Sequence, residues 1–192
     1  MMVFPRENLV VFAVPKTGTT AIEAALDARA AIVLRDPPQI KHMTVASYLR
    51  TLQPLLRADY EMMAVIRHPL DWHGSQYRYR SRPALKGSAR STADLTFAQF
   101  IARMLTPGNP EAEGSQSRFL SLKDGSCPVR HLFRYEAQER ILAFLAERFG
   151  GPVALPVLNV SPRRALDLPM DLRAAHETRF ARCYQMWEAA QH

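Results

Sequence analysis

Short apolar runs separated by longer amphipathic stretches dominate the chain. Val10 to Val14 is continuously apolar over the length of a strand, Tyr60 to Ile66 is apolar apart from Glu61, Pro128 to Phe133 is a strand-length run that includes Arg130 and His131, and Ala31 to Leu34 is a shorter fourth case. Runs of this length, bounded by turn residues, predict buried strands. Between them the apolar positions recur at helical spacing. This predicts helices beginning at Ala21 to Leu26, from a Thr44 cap to about Arg57, through Tyr77 to about Ser81, and from Phe97 to Leu105 behind Thr96. Two more run from about Glu136 to Phe149, ended by Gly150-Gly151, and from about Asp171 to Ala190. Pro54 is expected to bend or shorten the second helix. Loops are expected at Arg35 to Met43, Arg82 to Leu95, Pro107 to Ser115 and Asn159 to Arg164. Strands alternating with helices predict an α/β fold in three layers, a central, mostly parallel sheet flanked by helices, in a single domain of residues 1–192.

The polar segment between the first strand and the first helix, Pro15-Lys-Thr-Gly-Thr-Thr20, carries the clearest chemistry. Free N–H groups and the positive dipole end of a helix suit an anion, and Gly18 lets the backbone approach it without a Cβ. Lys16 adds a full positive charge. The order differs from a Walker A loop, G-x-x-x-x-G-K-[ST], because Lys16 precedes Gly18 and Ala13 stands five residues before it.

A second cation ends the next clear strand. Open α/β sheets bind ligands outside the carboxyl ends of their strands, and both Lys16 and Arg67 occupy such ends. Ser75 lies two helical turns beyond Arg67, within reach of the same anion. The planar fork of Arg67 suits paired hydrogen bonds to phosphate oxygens. A metal-dependent NTPase usually has an acidic residue here to help hold magnesium, so Arg67 favours a ligand with two separate phosphate-like groups.

Composition narrows the classes. With 47% hydrophobic and 22% charged residues in 192, the chain is of the soluble globular kind, and a cytoplasmic location is expected from the lack of a leader-like segment or a bilayer-length apolar run. Cys127 and Cys183 stand alone and are expected as two reduced thiols, with no zinc site. The net charge of +7 points to an anionic partner. Arg78, Arg80, Arg82, Lys86 and Arg90 follow one another with no acidic residue between Trp72 and Ala93, as a solvated basic face or an anion-facing segment. Nucleic acid is not expected, because no helix-turn-helix, zinc-finger spacing or aromatic RNP pattern accompanies the charge.

Together these motifs resemble a known family. Pro15-Lys-Thr-Gly-Thr-Thr20 is similar to the 5′-phosphosulfate loop of sulfotransferases, and Arg67-x-Pro69-x5-Ser75-x-Tyr77 to their 3′-phosphate motif. Weaker similarity extends to Lys41-His-Met43, Gln116-Ser-Arg-Phe-Leu120, Phe133-Arg-Tyr-Glu136 and Asn159-x-Ser-Pro162. The small bacterial and carbohydrate-type members are the nearer match. The Lys-Gly-x-x-Gly-Asp-Trp-Lys segment with which the cytosolic small-molecule branch covers its nucleotide is not found, and Asn159 to Arg164 is a candidate replacement.

The resemblance implies a P-loop-like fold and 3′-phosphoadenosine 5′-phosphosulfate (PAPS) as sulfuryl donor, with adenosine 3′,5′-bisphosphate as product and no metal required. It implies that Lys16 stabilises the leaving oxygen, that Thr17, Gly18, Thr19 and Thr20 hold the phosphosulfate with it, and that Arg67 and Ser75 hold the 3′-phosphate. His42 is the first candidate for the base that deprotonates the acceptor hydroxyl, since imidazole titrates near neutrality. His68 and His73 are rivals, and Glu23 is weaker. Gln116, Arg118 and Arg78 are candidates to line an acceptor cleft whose basic character would favour a glycan or anionic acceptor. Two other classes compete: a P-loop kinase or NTPase with a degenerate loop, and a non-catalytic polyanion-binding module.

Overall fold

The computed structural model describes residues 1–109, 114–158 and 162–191. The chain runs β1 (Met2–Phe4), β2 (Leu9–Val11), α1 (Thr19–Leu26), β3 (Ile32–Val33), α2 (Pro38–Lys41), α3 (Val45–Thr51), α4 (Gln53–Leu56) and β4 (Glu61–Ile66). It continues through α5 (Pro69–Arg80), α6 (Phe97–Leu105), α7 (Gln116–Leu120), β5 (His131–Arg134), α8 (Gln138–Phe149), α9 (Met170–Arg179) and α10 (Ala181–Ala189).

The fold is α/β, with one five-stranded sheet in the order β3-β1-β2-β4-β5. The expectation of a mostly parallel sheet is corrected. β2–β4 and β4–β5 pair in parallel, whereas β1 pairs antiparallel with both β2 and β3. The cause is a strand absent from the sequence reading. Met2–Phe4 turns back on Leu9–Val11 through a tight hairpin in which the Asn8 amide donates to the Pro5 carbonyl at 3.3 Å and Asn8 takes φ 50°, a conformation asparagine tolerates.

Alternation along the strands builds two cores. Val3, Val10, Ala64 and Ile66 face one side and pack with Tyr48 of α3, Leu120 of α7 and Met186 of α10. Phe4, Val11, Met63 and Val65 face the other, against Ile22 and Leu26 of α1 and Ile141 and Leu145 of α8. Each fully buried Val, Leu, Ile, Phe or Met side chain among them contributes ~1.5–3 kcal/mol. A third cluster, with Tyr77 of α5 and Phe97, Phe100 and Ile101 of α6, seats the α5–α6 pair.

Element ends follow local chemistry. Thr96 caps α6 in a reciprocal capping box with Gln99, and Gly150 ends α8 at φ 70°. The expected helix from Thr44 to Arg57 is two, α3 and α4, separated at Leu52 two residues before Pro54. The expected last helix is likewise two, divided at Phe180. The Arg35 to Met43 loop contains α2, and β5 begins at His131, past Pro128, which has no N–H for the ladder. The expected loops at 107–115 and 159–164 lie partly outside the described residues, as do Asn159 and its Asn-x-Ser motif. Among the described residues, no helix is long and apolar enough to cross a membrane.

Candidate functional site

The turn after β2 is held from within. Phe12 still donates to Met63 at 2.9 Å, after which the chain leaves the ladder. The Thr17 hydroxyl donates back to the Val14 carbonyl at 2.9 Å, and the Trp72 indole N–H of α5 donates to the Pro15 carbonyl at 2.7 Å. Thr17 is therefore buried, with its hydroxyl proton committed to the turn; only its backbone amide remains to serve a ligand. Lys16 takes φ 67° and Gly18, the residue capping α1, φ 76°. Left-handed backbone costs a non-glycine residue roughly 1–2 kcal/mol and is concentrated at functional sites. Among the described residues, no turn or loop backbone hydrogen bond uses the amides of Lys16 through Thr20, whereas the next amide, Ala21, donates to the Gly18 carbonyl at 2.9 Å.

The Lys16 ammonium rests on the face of Tyr79, with Nζ 3.2 Å from the ring centroid, and the Arg82 guanidinium packs on the same ring at 4.8 Å. Burial pushes the Lys16 pKa down to about 8, and the positive charges of Arg82 and Arg80 push the same way. An anion arriving here would relieve this crowding of like charge.

Arg67 follows the last residue of β4, and its backbone is gripped by Gln116 of α7. The Arg67 amide donates to Gln116 Oε1 at 2.9 Å, and Gln116 Nε2 donates to the Arg67 carbonyl at 2.8 Å. Gln116 was expected to line an acceptor cleft. It borders a pocket, but both ends of its buried amide serve Arg67. The Arg67 guanidinium lies over the Tyr135 ring at 4.6 Å, and its Nε is buried with no hydrogen-bond partner. Such an orphan donor is rare and costly, and an acceptor oxygen would satisfy it. Tyr135 also abuts Gly18: a Cβ there would lie 3.0 Å from Tyr135 Cε2. One ring thus touches both cationic ends of the site.

The candidate bases separate cleanly. His42, just after α2, has Nδ1 2.6 Å from the Ala13 carbonyl, so Nδ1 carries the proton and Nε2 keeps its lone pair. Burial lowers its pKa, against the opposing hydrogen bond to Ala13, so the ring is neutral at pH 7. Glu23 pairs with Arg35 at 2.7 Å and Lys41 at 2.9 Å, which hold its carboxyl below the usual range against the opposing effect of burial. His73 is buried, 3.0 Å from His176 and 3.2 Å from the Pro69 carbonyl, and burial drives its pKa down to about 3. His68 packs edge-on against Tyr184 and Trp187.

Lys16, Gly18, Thr19, Thr20, His42, Arg67, Ser75 and Arg78 all border one cleft of about 1760 Å³. Arg78 also donates from Nε to the Arg164 carbonyl at 3.2 Å. Arg164 in turn binds the Thr92 and Leu95 carbonyls, both at 2.9 Å, and so anchors the basic loop; Arg163 borders the cleft. Arg118 lies apart, on a smaller neighbouring pocket of about 320 Å³. Sequence reasoning missed Tyr79 and Trp72, and left Tyr135 inside a weak motif without a role. Comparison with family models, curated proteins and solved structures finds no match for the chain.

Proposed function

We propose that this chain is a PAPS-dependent sulfotransferase acting on an acceptor hydroxyl. The observation that carries the proposal is a single cleft bordered by two separate cationic ends, the Lys16 to Thr20 turn and Arg67 with Ser75. In this reading the chain is a P-loop-like three-layer fold, in which the parallel strands β2, β4 and β5 bear the site and the β1–β3 pairing extends the sheet.

The residues fit the donor. The orphaned Nε of Arg67 would take a 3′-phosphate oxygen together with Ser75, and the amides behind Gly18 would take the 5′-phosphosulfate beside Lys16. PAPS supplies an activated sulfuryl group, transferred in line to the acceptor oxygen. Lys16 places positive charge where the leaving oxygen becomes negative, often the largest single catalytic effect. His42 Nε2 takes the acceptor proton, its tautomer set by Ala13. The charge is supplied by side chains and amides, so the proposed step requires no metal.

Thermal shift tests the donor assignment. Adenosine 3′,5′-bisphosphate is expected to raise the melting temperature, and stabilisation by ATP with magnesium alone would favour a kinase or NTPase and sink the proposal. A polyanion-binding module has the basic wall of Arg78, Arg80 and Arg90 in its favour. Absence of any sulfate transfer or slow PAPS hydrolysis would decide for it.

A further inference from the structure

The smaller pocket sits beside the turn rather than under the basic loop. Val14, Pro15, Trp72 and Phe119 form its apolar wall, and Pro15, Trp72 and Gly114 border both it and the large cleft. Its volume of about 320 Å³ falls at the small end of the ~300–1,000 Å³ usual for ligand pockets. A molecule lying in it would reach the cleft past Pro15, the neighbour of Lys16. Ala13, whose carbonyl orients His42, is the chain neighbour of Val14 in the pocket wall.

Gln116 and Trp72 are committed within the protein, and Ser115 and Thr44 accept from backbone amides while keeping a hydroxyl proton. Gln116 uses both ends of its amide on Arg67, and Trp72 gives its only N–H to Pro15. Ser115 Oγ accepts from the Arg118 amide and pairs with Ser117 Oγ, both at 3.2 Å, and Thr44 Oγ1 accepts from the Ser47 amide at 3.2 Å. Arg118 is the one charged residue on the pocket among those described, and it is exposed. A sugar ring entering here would give up water at several hydroxyls and find few partners, each loss weakening binding by roughly tenfold. A flat apolar ring would lose nothing of the kind and would gain contact with Trp72 and Phe119.

We infer that the pocket takes the body of an aromatic acceptor, a phenol-like compound whose single hydroxyl points out into the cleft, and not a glycan. The binding preference stands on the pocket alone; the reaction rests on the sulfotransferase reading. In that reaction the phenolic oxygen forms a bond to sulfur as the bond from sulfur to the bridging 5′-phosphate oxygen breaks. The bridging oxygen keeps the electron pair, and the phenolic proton passes to His42 Nε2. The products are an aryl sulfate and adenosine 3′,5′-bisphosphate.

The test uses the full chain labelled with ¹⁵N and follows the indole N–H signals of Trp72 and Trp187, assigned with Trp187→Phe. Titration with 4-methylphenol is expected to shift the Trp72 signal at a concentration at least tenfold lower than methyl α-glucoside requires. With labelled PAPS, 4-methylphenol is expected to be sulfated faster than the glucoside. Equal or tighter glucoside binding, or no shift of Trp72 with 4-methylphenol, overturns the inference. If adenosine 3′,5′-bisphosphate stabilises the protein and the glucoside is the better acceptor, the pocket assignment falls and the donor assignment stands. If 4-methylphenol shifts Trp72 but the bisphosphate does not bind, the donor assignment falls and the pocket preference stands.

Discussion

Replacing Gln116 separates a residue that positions the site from one that touches substrate. Gln116→Leu keeps the side chain's bulk but deletes two hydrogen bonds, at 2.9 and 2.8 Å, to the backbone of Arg67. Each of the two partly buried backbone groups left without a partner costs ~1–3 kcal/mol, and apolar burial of the leucine offsets ~1 kcal/mol, so a net loss of ~1–5 kcal/mol is expected. Gln116→Glu should be no milder, because its buried carboxylate still accepts from the Arg67 amide but sets a charged oxygen against the Arg67 carbonyl. Urea unfolding followed by circular dichroism measures the stability loss, and calorimetric titration with adenosine 3′,5′-bisphosphate measures how far Arg67 has been released. Stability within ~0.5 kcal/mol of wild type, combined with a raised acceptor KM, would refute the clamp and return Gln116 to the acceptor site.

Other substitutions address the proposed chemistry directly. Lys16→Ala is expected to lower sulfate transfer by about a hundredfold or more, and equal rates would remove Lys16 from the mechanism. Since the Lys16 pKa sits at about 8, wild-type affinity for the bisphosphate should fall as pH rises through that value, and calorimetry in Lys16→Ala should show that limb flattened. His42→Ala should cost ~10²–10⁴ in turnover with bisphosphate affinity nearly unchanged. His42 titrates below its ordinary 6.5, so the wild-type rate should fall on the acid side as protonation removes the base, and on the alkaline side as Lys16 loses its charge through about pH 8. Gly18→Ala puts a Cβ at φ 76° and 3.0 Å from Tyr135, and should destabilise by ~1–2 kcal/mol, measured by urea unfolding, while weakening bisphosphate binding.

What the sequence disclosed follows from the range of the forces involved. Local signals were legible: the helix start at Thr96, the Gly150 stop, the strand ending at Ile66 and the turn around Gly18 each lie within a few neighbouring residues. Met2–Phe4 escaped because three apolar residues are too short to show alternation, and the hairpin that reverses the chain uses Asn8 without a glycine. The division of the last helix at Phe180 has no proline or glycine to announce it. Long-range polar pairing was invisible. Gln116 and Arg67 are 49 residues apart, and nothing local shows that one amide binds the other's backbone. The same holds for Lys16 and Tyr79, whose contact depends on how α5 is seated against the turn.

Tyr135 is shared by the two ends of the site. Its ring edge lies against Gly18, the Arg67 guanidinium lies over its face, and its amide donates to the Ile66 carbonyl at 2.7 Å, so it is fastened to the strand that carries Arg67. Both ends of the cleft thus pack on one aromatic side chain. A larger residue at 18 would meet the Tyr135 ring, and at φ 76° it would stay strained even beside a smaller residue at 135, so this end of the cleft depends on glycine for both space and backbone.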